Sequence, residues 1–415
     1  MKERTLADFR PMQERCSNCS YCKFIPLDKI RSREFAGGCP SIGYYNFNTY
    51  SARGRFQLGV ALNRGEDVGE KDLEQVVFSC LSCGACDVSC KICRYNLEPL
   101  AHNIALKEAL IERGMVPGRV AEERDRLMAA GARAGLCAAD LGLPVQGEVL
   151  FLPGDRTQES PETADTVCRA AALLRRCGLD IAALSEGFFS GAVLYDMGFR
   201  KDFEEIAKEN IARIEASGAK EVVTPCADTF YALNRLYPEL GLTVPVRHIT
   251  QVLADLIAQG TLRLTQEVPV RVTYHDPCSL GRKGEAYEPW EGEEKKILNQ
   301  VHTWEPRRPR YIGNDGVYDA PRAVLRAIPG LELAEMERIR EYGYSCGEGA
   351  GIPEIDPGLA AFAAHGRLDE AKASEAEQLV TADPSSLLQL RSARRDGDLP
   401  VTDLLTLVLA AAGEE

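Results

Sequence analysis

Two runs of cysteines near the N-terminus constrain this chain more than any other feature of its sequence. The first run reads C-S-N-C-S-Y-C and precedes a Cys-Pro pair, and the second reads C-L-S-C-G-A-C-D-V-S-C. The eight residues are Cys16, Cys19, Cys22, Cys39, Cys80, Cys83, Cys86 and Cys90. A C-x2-C-x2-C loop can place three thiolates around one four-iron cube, so the fourth thiolate has to come from elsewhere in the chain.

The spacing predicts two [4Fe–4S] clusters in one unit, because in two-cluster ferredoxins each motif supplies the fourth ligand of the other cluster. One predicted cluster binds Cys16, Cys19, Cys22 and Cys90, and the other binds Cys80, Cys83, Cys86 and Cys39. An additional thiol, Cys93, stands near Cys90 and could replace it as the swapped ligand. Two details are unusual: Cys39 follows Cys22 only after sixteen residues, and Lys91 rather than proline follows Cys90.

Zinc and disulfides are the alternative uses of these cysteines. Zinc ribbons need two cysteines in each knuckle, whereas both runs here contain three cysteines at equal spacing. Disulfides suit secreted chains, and the first eight residues contain two acids and none of the apolar stretch of a signal peptide. Iron–sulfur clusters are therefore the favoured interpretation.

Composition narrows the function classes and the compartment. The chain has 415 residues, and its net charge of −13 disfavours nucleic acid as a partner because no basic face offsets it. No stretch approaches the roughly eighteen apolar residues that a membrane span needs, so we expect membrane attachment only through a partner. Fifteen cysteines without an export signal indicate a reducing cytoplasm in which thiols hold metal.

The rest of the chain predicts two α/β units. After a cluster segment, 1–115, and a connector, 116–146, short apolar runs alternate with amphipathic helices. Such alternation predicts parallel sheets covered by helices on both faces. We expect an α/β fold in which an N-terminal α-helical ferredoxin-like domain precedes two pseudo-symmetric parallel repeats, 147–262 and 263–415. An insertion, 283–315, falls in the second repeat.

The two halves correspond at three positions that follow predicted strands or turns. These positions pair Asp155 with Cys278, Ser190 with Cys346, and Cys226 with Asp383. The intervals are 35 and 36 residues in the first half, and 68 and 37 residues in the second. The insertion accounts for the one long interval, so a duplicated unit explains the pattern.

With these motifs the chain resembles the heterodisulfide-reductase D-type iron–sulfur oxidoreductases, also called CCG-domain proteins. The resemblance rests on the two cysteine runs, on Y-H-D-P-C-S-L-G-R at 274–282, on V-Y-D-A-P-R at 317–322 and on P-G-L-E-L at 329–333. It implies an α-helical ferredoxin domain with two [4Fe–4S] clusters, followed by two CCG repeats. In the disulfide reductases of this family, intact repeats supply thiolates to noncubane clusters at which a disulfide is cleaved.

The chain departs from this family pattern at the repeat ligands. In the first repeat Asp155, Ser190 and Thr229 occupy cysteine positions, and in the second the final C-x2-C reads D-P-S-S at 383–386. The cysteines that remain are Cys226, Cys278 and Cys346. Carboxylates and hydroxyls are harder, weaker ligands for iron–sulfur clusters than thiolates. We therefore expect no noncubane cluster, and disulfide reduction does not carry over from the resemblance.

The three remaining thiols have two interpretations. With a neighbouring histidine or carboxylate, Cys226, Cys278 and Cys346 could bind a third cluster or zinc at the carboxyl ends of the strands. The alternative, which we favour because a four-thiolate site lacks one ligand, is that they pack as small apolar side chains. The isolated residues Cys137, Cys168, Cys177, His102 and His248 are assigned no ligand role.

The predicted function is electron transfer, because two clusters in a small domain form a one-electron wire. We expect an iron–sulfur subunit of a multi-component anaerobic oxidoreductase whose partners are a flavoprotein, an iron–sulfur protein or a membrane electron carrier. One alternative is an enzyme that reduces a disulfide or quinone at an additional metal centre in the repeats. The other is a scaffold that the clusters merely hold together. No catalytic residue is assigned.

Overall fold

The N-terminal part of the protein is helical. The computed structural model describes residues 4–26, 28–92, 97–297 and 301–413. The first helices are α1 (Arg10–Glu14), α2 (Pro40–Tyr45), α3 (Ala52–Arg64), α4 (Glu70–Phe78), α5 (Ala85–Ile92) and α6 (Pro99–Glu112). The connector contains α7 (Gly118–Ala130) and α8 (Ala138–Leu141).

A four-stranded parallel sheet follows, with helices between its strands. Its elements are β1 (Val149–Phe151), α9 (Pro161–Arg176), β2 (Ile181–Ala182), α10 (Ala192–Met197), α11 (Arg200–Ser217), β3 (Glu221–Thr224), α12 (Ala227–Tyr231), β4 (Val246–His248) and α13 (Ile249–Ala258). The strand order is β2-β1-β3-β4, and every pair is parallel. A single π-helical turn, Ala232–Leu236, follows α12.

A second four-stranded parallel sheet occupies the C-terminal part. Its elements are β5 (Arg271–Tyr274), a hairpin of β6 (Glu293–Ile297) and β7 (Val301–Glu305), α14 (Asp319–Ala327), β8 (Glu332–Leu333), α15 (Ile352–Ile355), α16 (Pro357–Ala373), β9 (Gln378–Thr381), α17 (Pro384–Ser392), β10 (Val401–Asp403) and α18 (Leu404–Ala411). The sheet order is β10-β9-β5-β8, and the β6–β7 hairpin is antiparallel and separate.

Local sequence signals explain where several helices begin and end. Ser160 caps α9 by accepting a hydrogen bond from the Thr163 amide, and Asp383 caps α17 in the same way from Ser386. Proline occupies the first turn of both helices, where its missing N–H costs nothing. Gly218 ends α11 with a positive φ of 69°, a conformation that glycine adopts without strain.

The two sheets have the same order when their strands are matched along the chain. The strand sequence β2-β1-β3-β4 corresponds to β8-β5-β9-β10, and each matched pair occupies the same place. Between the sheets α13 packs against α14, and α9 packs against α18. These helices and the facing strands share one apolar core that includes Phe151, Val223, Val272 and Val380.

The helical domain is not a separate body, because its core continues into the first sheet unit. One buried apolar cluster contains Leu73 and Leu106 from the helical domain together with Leu150 and Val222 from the sheet. The chain before Cys39 is held against the second unit as well, since Arg338 donates to the carbonyl of Gly37 (2.8 Å).

The structure confirms the α/β class with parallel sheets and a helical N-terminal domain. The predicted strands at 221–224 and 378–381 have those same limits. The insertion was predicted as a loop within a parallel fold, and it instead contains the antiparallel β6–β7 hairpin. His248 was predicted within a helix, but it ends β4 and caps α13. The domain limits themselves stay predictions.

Arg322 lies in the interior of the second unit with 1% of its side chain exposed. It donates two hydrogen bonds to the carboxylate of Asp276 (2.7 and 2.8 Å) and two to Glu335 (2.7 and 3.0 Å). The loop after β5 therefore depends on a buried cation that α14 provides.

We predict that Arg322→Met lowers the free energy of unfolding of this unit by about 3–5 kcal/mol, because it leaves the buried Asp276 carboxylate uncompensated. The measurement is urea denaturation. The matched control is Arg326→Met on the same helix, whose 62%-exposed side chain lies 3.9 Å from Glu335. Its effect should stay below about 1 kcal/mol, and equal losses in the two variants would contradict the prediction.

Candidate functional site

Four of the predicted cluster ligands line one small cavity near the N-terminus. Cys16 and Cys19 lie in the loop after α1, Cys22 lies in a 3-10 turn, and Cys90 lies on α5. The remaining lining residues are Ser17, Ser20, Arg53, Phe56, Ser89 and Leu97. Cys90 therefore crosses from the second cysteine run to the three cysteines of the first.

A second small cavity brings together the other four predicted ligands. Cys80 and Cys83 lie in the loop before α5, Cys86 lies on α5, and Cys39 immediately precedes α2. Other lining residues include Arg55, Leu100 and Asn103. The residues of this cavity fit a four-thiolate cluster, since Cys39 crosses from the first run as Cys90 does in the opposite direction.

The two cysteine loops share one unusual backbone pattern. In the first, Asn18 and Ser20 have positive φ values of 61° and 66°, and in the second, Ser82 and Gly84 have values of 47° and 75°. In both loops these left-handed residues immediately flank the middle cysteine. Such conformations are uncommon for residues other than glycine, so each loop accepts backbone strain to turn its three sulfurs towards one cavity.

Buried cations surround the second cavity. Arg55, 1% exposed, donates to the carbonyls of Val76 and Ser79 (both 3.0 Å). Although burial raises the pKa of the Cys80 thiol, the charges of Arg55 and Lys107 outweigh it and the net shift is downward. The positive charge therefore favours the thiolate form, which is the form that binds iron.

Lys107 holds the second cysteine loop against the first sheet unit. Its ammonium donates to the carbonyl of Cys80 (3.0 Å), to the hydroxyl of Ser82 (3.0 Å) and to the carbonyl of Asp196 (2.8 Å). Burial lowers the pKa of Lys107 to about 8. In the sequence this residue interrupts the apolar stripe of α6, which was the only available signal of its role.

Arg282 makes the matching connection to the second unit. Its guanidinium donates to the carbonyl of Cys83 (2.6 Å), to the sulfur of Cys278 (3.0 Å) and to the carbonyl of Gly343. The second cavity thus lies where the helical domain meets both sheet units. Sequence reasoning placed Arg282 in a family motif but assigned it no role.

In the first unit the substituted ligand positions bind one another. Asp155 accepts hydrogen bonds from the amide of Ser190 (2.8 Å), from its hydroxyl (2.5 Å) and from the hydroxyl of Thr229 (3.2 Å). Burial raises the pKa of Asp155 to about 7. A carboxylate and two hydroxyls that already satisfy each other do not fit the noncubane cluster that the family resemblance would place here.

In the second unit only two thiols remain, and oxygen groups surround them. Cys278 lies beside Ser345, and Cys346 lies beside Ser386. Asp383 accepts from the amides of Ser386 (2.8 Å) and Ala227 (2.9 Å) and so joins the two units. This donor set does not fit a noncubane cluster either.

The predicted third site is not assembled around one point. Cys226 is buried, and the carboxylates of Asp383 and Asp155 add to burial in raising the pKa of its thiol well above the usual value. Among the residues that the structure describes, no three Cys, His, Asp or Glu side chains converge on a position for a single metal ion. The site of Cys226, Cys278 and Cys346 stays a prediction.

The other predicted positions lie as follows. Cys93 falls outside the described residues. Cys137 caps α8, Cys168 lies on α9, and Cys177 follows its last residue. His102 is buried, and its Nε2 lies 3.0 Å from the side-chain amide of Gln13.

Comparison with known families agrees with both parts of the fold. The family model described as a 4Fe-4S dicluster domain matches residues 15–92. The model described as a cysteine-rich domain, CCG, matches residues 167–234 and 272–391. Together the two models cover more than half of the chain.

Two curated relatives and one solved structure illustrate the similarity. The D-type polypeptide of the dihydromethanophenazine:CoB--CoM heterodisulfide reductase from Methanosarcina mazei is 26% identical over 367 residues, covering 84% of this chain and 82% of that protein. A probable membrane-anchored ferredoxin of Chromohalobacter salexigens is 30% identical over 335 residues, covering 76% of this chain and 45% of that protein. The crystal structure of a hypothetical protein from Helicobacter pylori shares the fold alone, with a TM-score of 0.50, 11% identity, and coverage of 78% of this chain and 59% of that one.

The helical dicluster domain and the parallel sheet units define an iron–sulfur protein. The chain belongs to the heterodisulfide-reductase D-type, CCG-domain family of iron–sulfur oxidoreductases, with several of the CCG ligand positions replaced. Within the described parts of the chain, no helix has both the length and the apolarity to cross a membrane.

The cavity linings predict which variants share a phenotype. Cys39→Ser should remove the same cluster as Cys83→Ser, and Cys90→Ser the same cluster as Cys19→Ser, because each pair lines one cavity. Iron content should fall from about eight to about four per chain in each variant. Electron paramagnetic resonance of the reduced protein should then show one signal for each pair.

Cys168→Ser is the matched control, since this residue lies on α9 away from both cavities. It should retain all iron and both signals. If Cys39→Ser removed the signal that Cys19→Ser removes, the proposed exchange of ligands between the two runs would be wrong.

Proposed function

We propose that this chain is the electron-transfer subunit of a multi-component oxidoreductase and passes single electrons through two [4Fe–4S] clusters. The observation that supports this most directly is the lining of the two small cavities by four cysteines each. When bound there, a cluster supplies a one-electron couple whose potential depends on local charge, hydrogen bonds and exposure. The chain itself holds the clusters and sets these surroundings.

Helix α5 supports direct transfer between the two clusters. It carries Cys86 of the second cavity and Cys90 of the first, four residues apart. Four residues correspond to about 6 Å along a helix axis, so the two sites are separated by roughly one helical turn. No mobile carrier is needed over this distance.

The first cavity is the proposed entry or exit for electrons to a partner. Cys19 is exposed, and the nearby side chains of Tyr21 (56% exposed) and Phe24 (54% exposed) face solvent. Exposed aromatic side chains are typical of protein contact sites. We propose that a flavoprotein, an iron–sulfur protein or a membrane electron carrier docks here.

The sheet units then form a largely metal-poor docking body. Their matched strand orders and the reciprocal packing of α9, α13, α14 and α18 support a duplicated, pseudo-symmetric origin. The bonded group of Asp155, Ser190 and Thr229 keeps the first unit closed without metal. Attachment to a membrane would run through a partner, and anaerobic metabolism is the proposed setting.

One observation favours a second function, reduction of a substrate at the second unit. Cys278 is linked through Arg282 to Cys83, a proposed ligand of the second cluster. Burial, then the Glu348 carboxylate and then the nearby charge of Cys278 raise the pKa of the Cys346 thiol well above its usual value. A reductase acting on a disulfide or quinone would use this pair of thiols, whereas the electron-transfer proposal does not need it.

Cys278→Ser separates the two functions. On the electron-transfer proposal the variant, purified without oxygen, keeps about eight irons and both cluster signals, and it transfers electrons to an artificial acceptor at the wild-type rate. Cys83→Ser is the paired variant that should lose one signal. Loss of iron or of a signal in Cys278→Ser would move the assignment to the reductase.

Lys107→Met tests the influence of the buried cation on the second cluster. Removing one positive charge beside Cys80 should shift the midpoint potential of one cluster to a more negative value, because the reduced cluster carries more negative charge. The other potential should remain unchanged. A redox titration followed by electron paramagnetic resonance measures both potentials.

The matched control is Lys220→Met, which removes an exposed lysine paired with Glu148. It should leave both potentials at their wild-type values. Unchanged potentials in Lys107→Met, with iron content preserved, would show that Lys107 only secures the loop.

A further inference from the structure

A large cavity lies against the second cysteine loop, and nothing in the electron-transfer proposal uses it. Its volume is about 790 Å³, which is within the range of roughly 300–1,000 Å³ typical of small-molecule and cofactor sites. The helical domain, the π-helical region of the first unit and the 283–315 insertion each form part of its wall. Aromatic side chains are frequent among the lining residues: Tyr195, Tyr231, Tyr287, Trp290 and Tyr311.

Arg235 is held in an unusual position in this cavity. It lies on the single π-helical turn, a feature that is often found at functional sites. Its guanidinium carbon lies 3.3 Å from the ring centroid of Tyr311 and 5.6 Å from that of Tyr287. Within the described residues its buried Nη1 has no hydrogen-bond partner, so a donor is available at this wall.

The opposite kind of polar atom is also left over. Glu285 accepts hydrogen bonds at Oε1 from the amides of Gly313 (2.9 Å) and Asp315 (3.1 Å). Its Oε2 is buried without a partner in the described part of the chain. The cavity wall therefore has one unused donor and one unused acceptor, and unmade buried hydrogen bonds are costly.

Two further features restrict the ligand. Gly84, Asp87 and Val88 line the cavity and flank Cys86, so a ligand here lies next to the second cluster site. At another part of the wall, Arg4 and Arg308 both pair with the single carboxylate of Glu98 (2.6 and 3.1 Å). The excess positive charge there suits an anionic end group, and so many charged side chains do not suit an isoprenoid tail.

We propose that this cavity binds a flavin nucleotide that exchanges electrons with the cluster at Cys86. The edge of an isoalloxazine ring has two carbonyl acceptors on either side of an N–H donor, and this pattern matches Arg235 and Glu285. The oxidised form of a quinone offers acceptors alone. The tyrosine rings provide stacking surfaces, and Arg4 and Arg308 provide the charge that a phosphate needs.

The electron count closes within this chain, and this step rests on the proposed electron-transfer function. Oxidation of the anionic flavin hydroquinone releases two electrons and one proton. Each of the two proposed clusters takes one electron, and the proton leaves to water in the open cavity. The reverse sequence reduces the flavin.

Tryptophan fluorescence offers a specific binding assay. The chain has two tryptophans, Trp290 at the cavity and Trp304 on β7. In Trp304→Phe, added flavin mononucleotide should quench the emission of Trp290 with saturation at one flavin per chain, and equilibrium dialysis should give the same stoichiometry. Adding Arg235→Met should weaken binding about tenfold or more, while iron content and both cluster signals stay at wild-type levels. The matched control, the exposed Arg263→Met, should bind as the parent does.

The outcomes separate this proposal from the one on which it rests. Absence of saturable flavin binding by a protein with both clusters reducible would overturn the flavin site alone. Equal affinity in Arg235→Met and Arg263→Met would overturn it as well, and so would saturable binding of a short-chain quinone without binding of flavin. A protein that lacks iron yet binds flavin would instead overturn the electron-transfer function and retain the flavin site.

Discussion

Repulsion between neighbouring sulfurs is the constraint on which the rest of this structure depends. Each small cavity gathers four thiols in surroundings that disfavour negative charge. Burial, followed by nearby carboxylate and thiolate charges, raises the pKa of Cys86 well above its usual value, and burial raises that of Cys39 to about 12. Iron binds the thiolate form, so metal binding and closure of these loops are coupled. Because each cavity takes one cysteine from the other run, neither loop can assemble its site alone.

The second cavity also joins the helical domain to the rest of the molecule. Lys107 connects its loop to Asp196, and Arg282 connects the same loop to Cys278 and Gly343. Arg338 adds a bond to Gly37 on the chain that leads to Cys39. Three buried cations thus bind mainly backbone carbonyls, which fixes the loop without placing a carboxylate beside the proposed cluster. This arrangement keeps the local charge positive where a reduced cluster would be most negative.

The sequence predicted those parts of the protein that local spacing determines. The exchange of Cys39 and Cys90 between the runs followed from the demand for a fourth ligand, and the linings of the cavities agree with it. The strands at 221–224 and 378–381 were recognised because continuous apolar runs are typical of buried parallel strands. The replacement of family ligands by Asp155 and Ser190 was also visible, since it depends only on matching two repeats.

Features that depend on tertiary contact were beyond the sequence pattern. Lys107 appeared only as an interruption of an apolar stripe, because its three acceptors come from segments 25 to 89 residues away. The insertion carried no periodic signal, yet its residues close one wall of the large cavity opposite Arg235. The π-helical turn that positions Arg235 likewise has no simple sequence signature. These are long-range arrangements, and local propensity gives little information about them.

One segment connects every site that the structure contains. The loop and helix from Cys80 to Ile92 supply four of the eight proposed ligands, contact both sheet units and form part of the large cavity. In relatives with intact CCG repeats, electrons would pass from such a segment towards thiolate-bound metal in the sheets. Here the equivalent positions are closed by hydrogen bonds around Asp155, so that route has lost its acceptor. The large cavity on the other side of the same loop is then the remaining place where a small redox molecule could reach the second cluster.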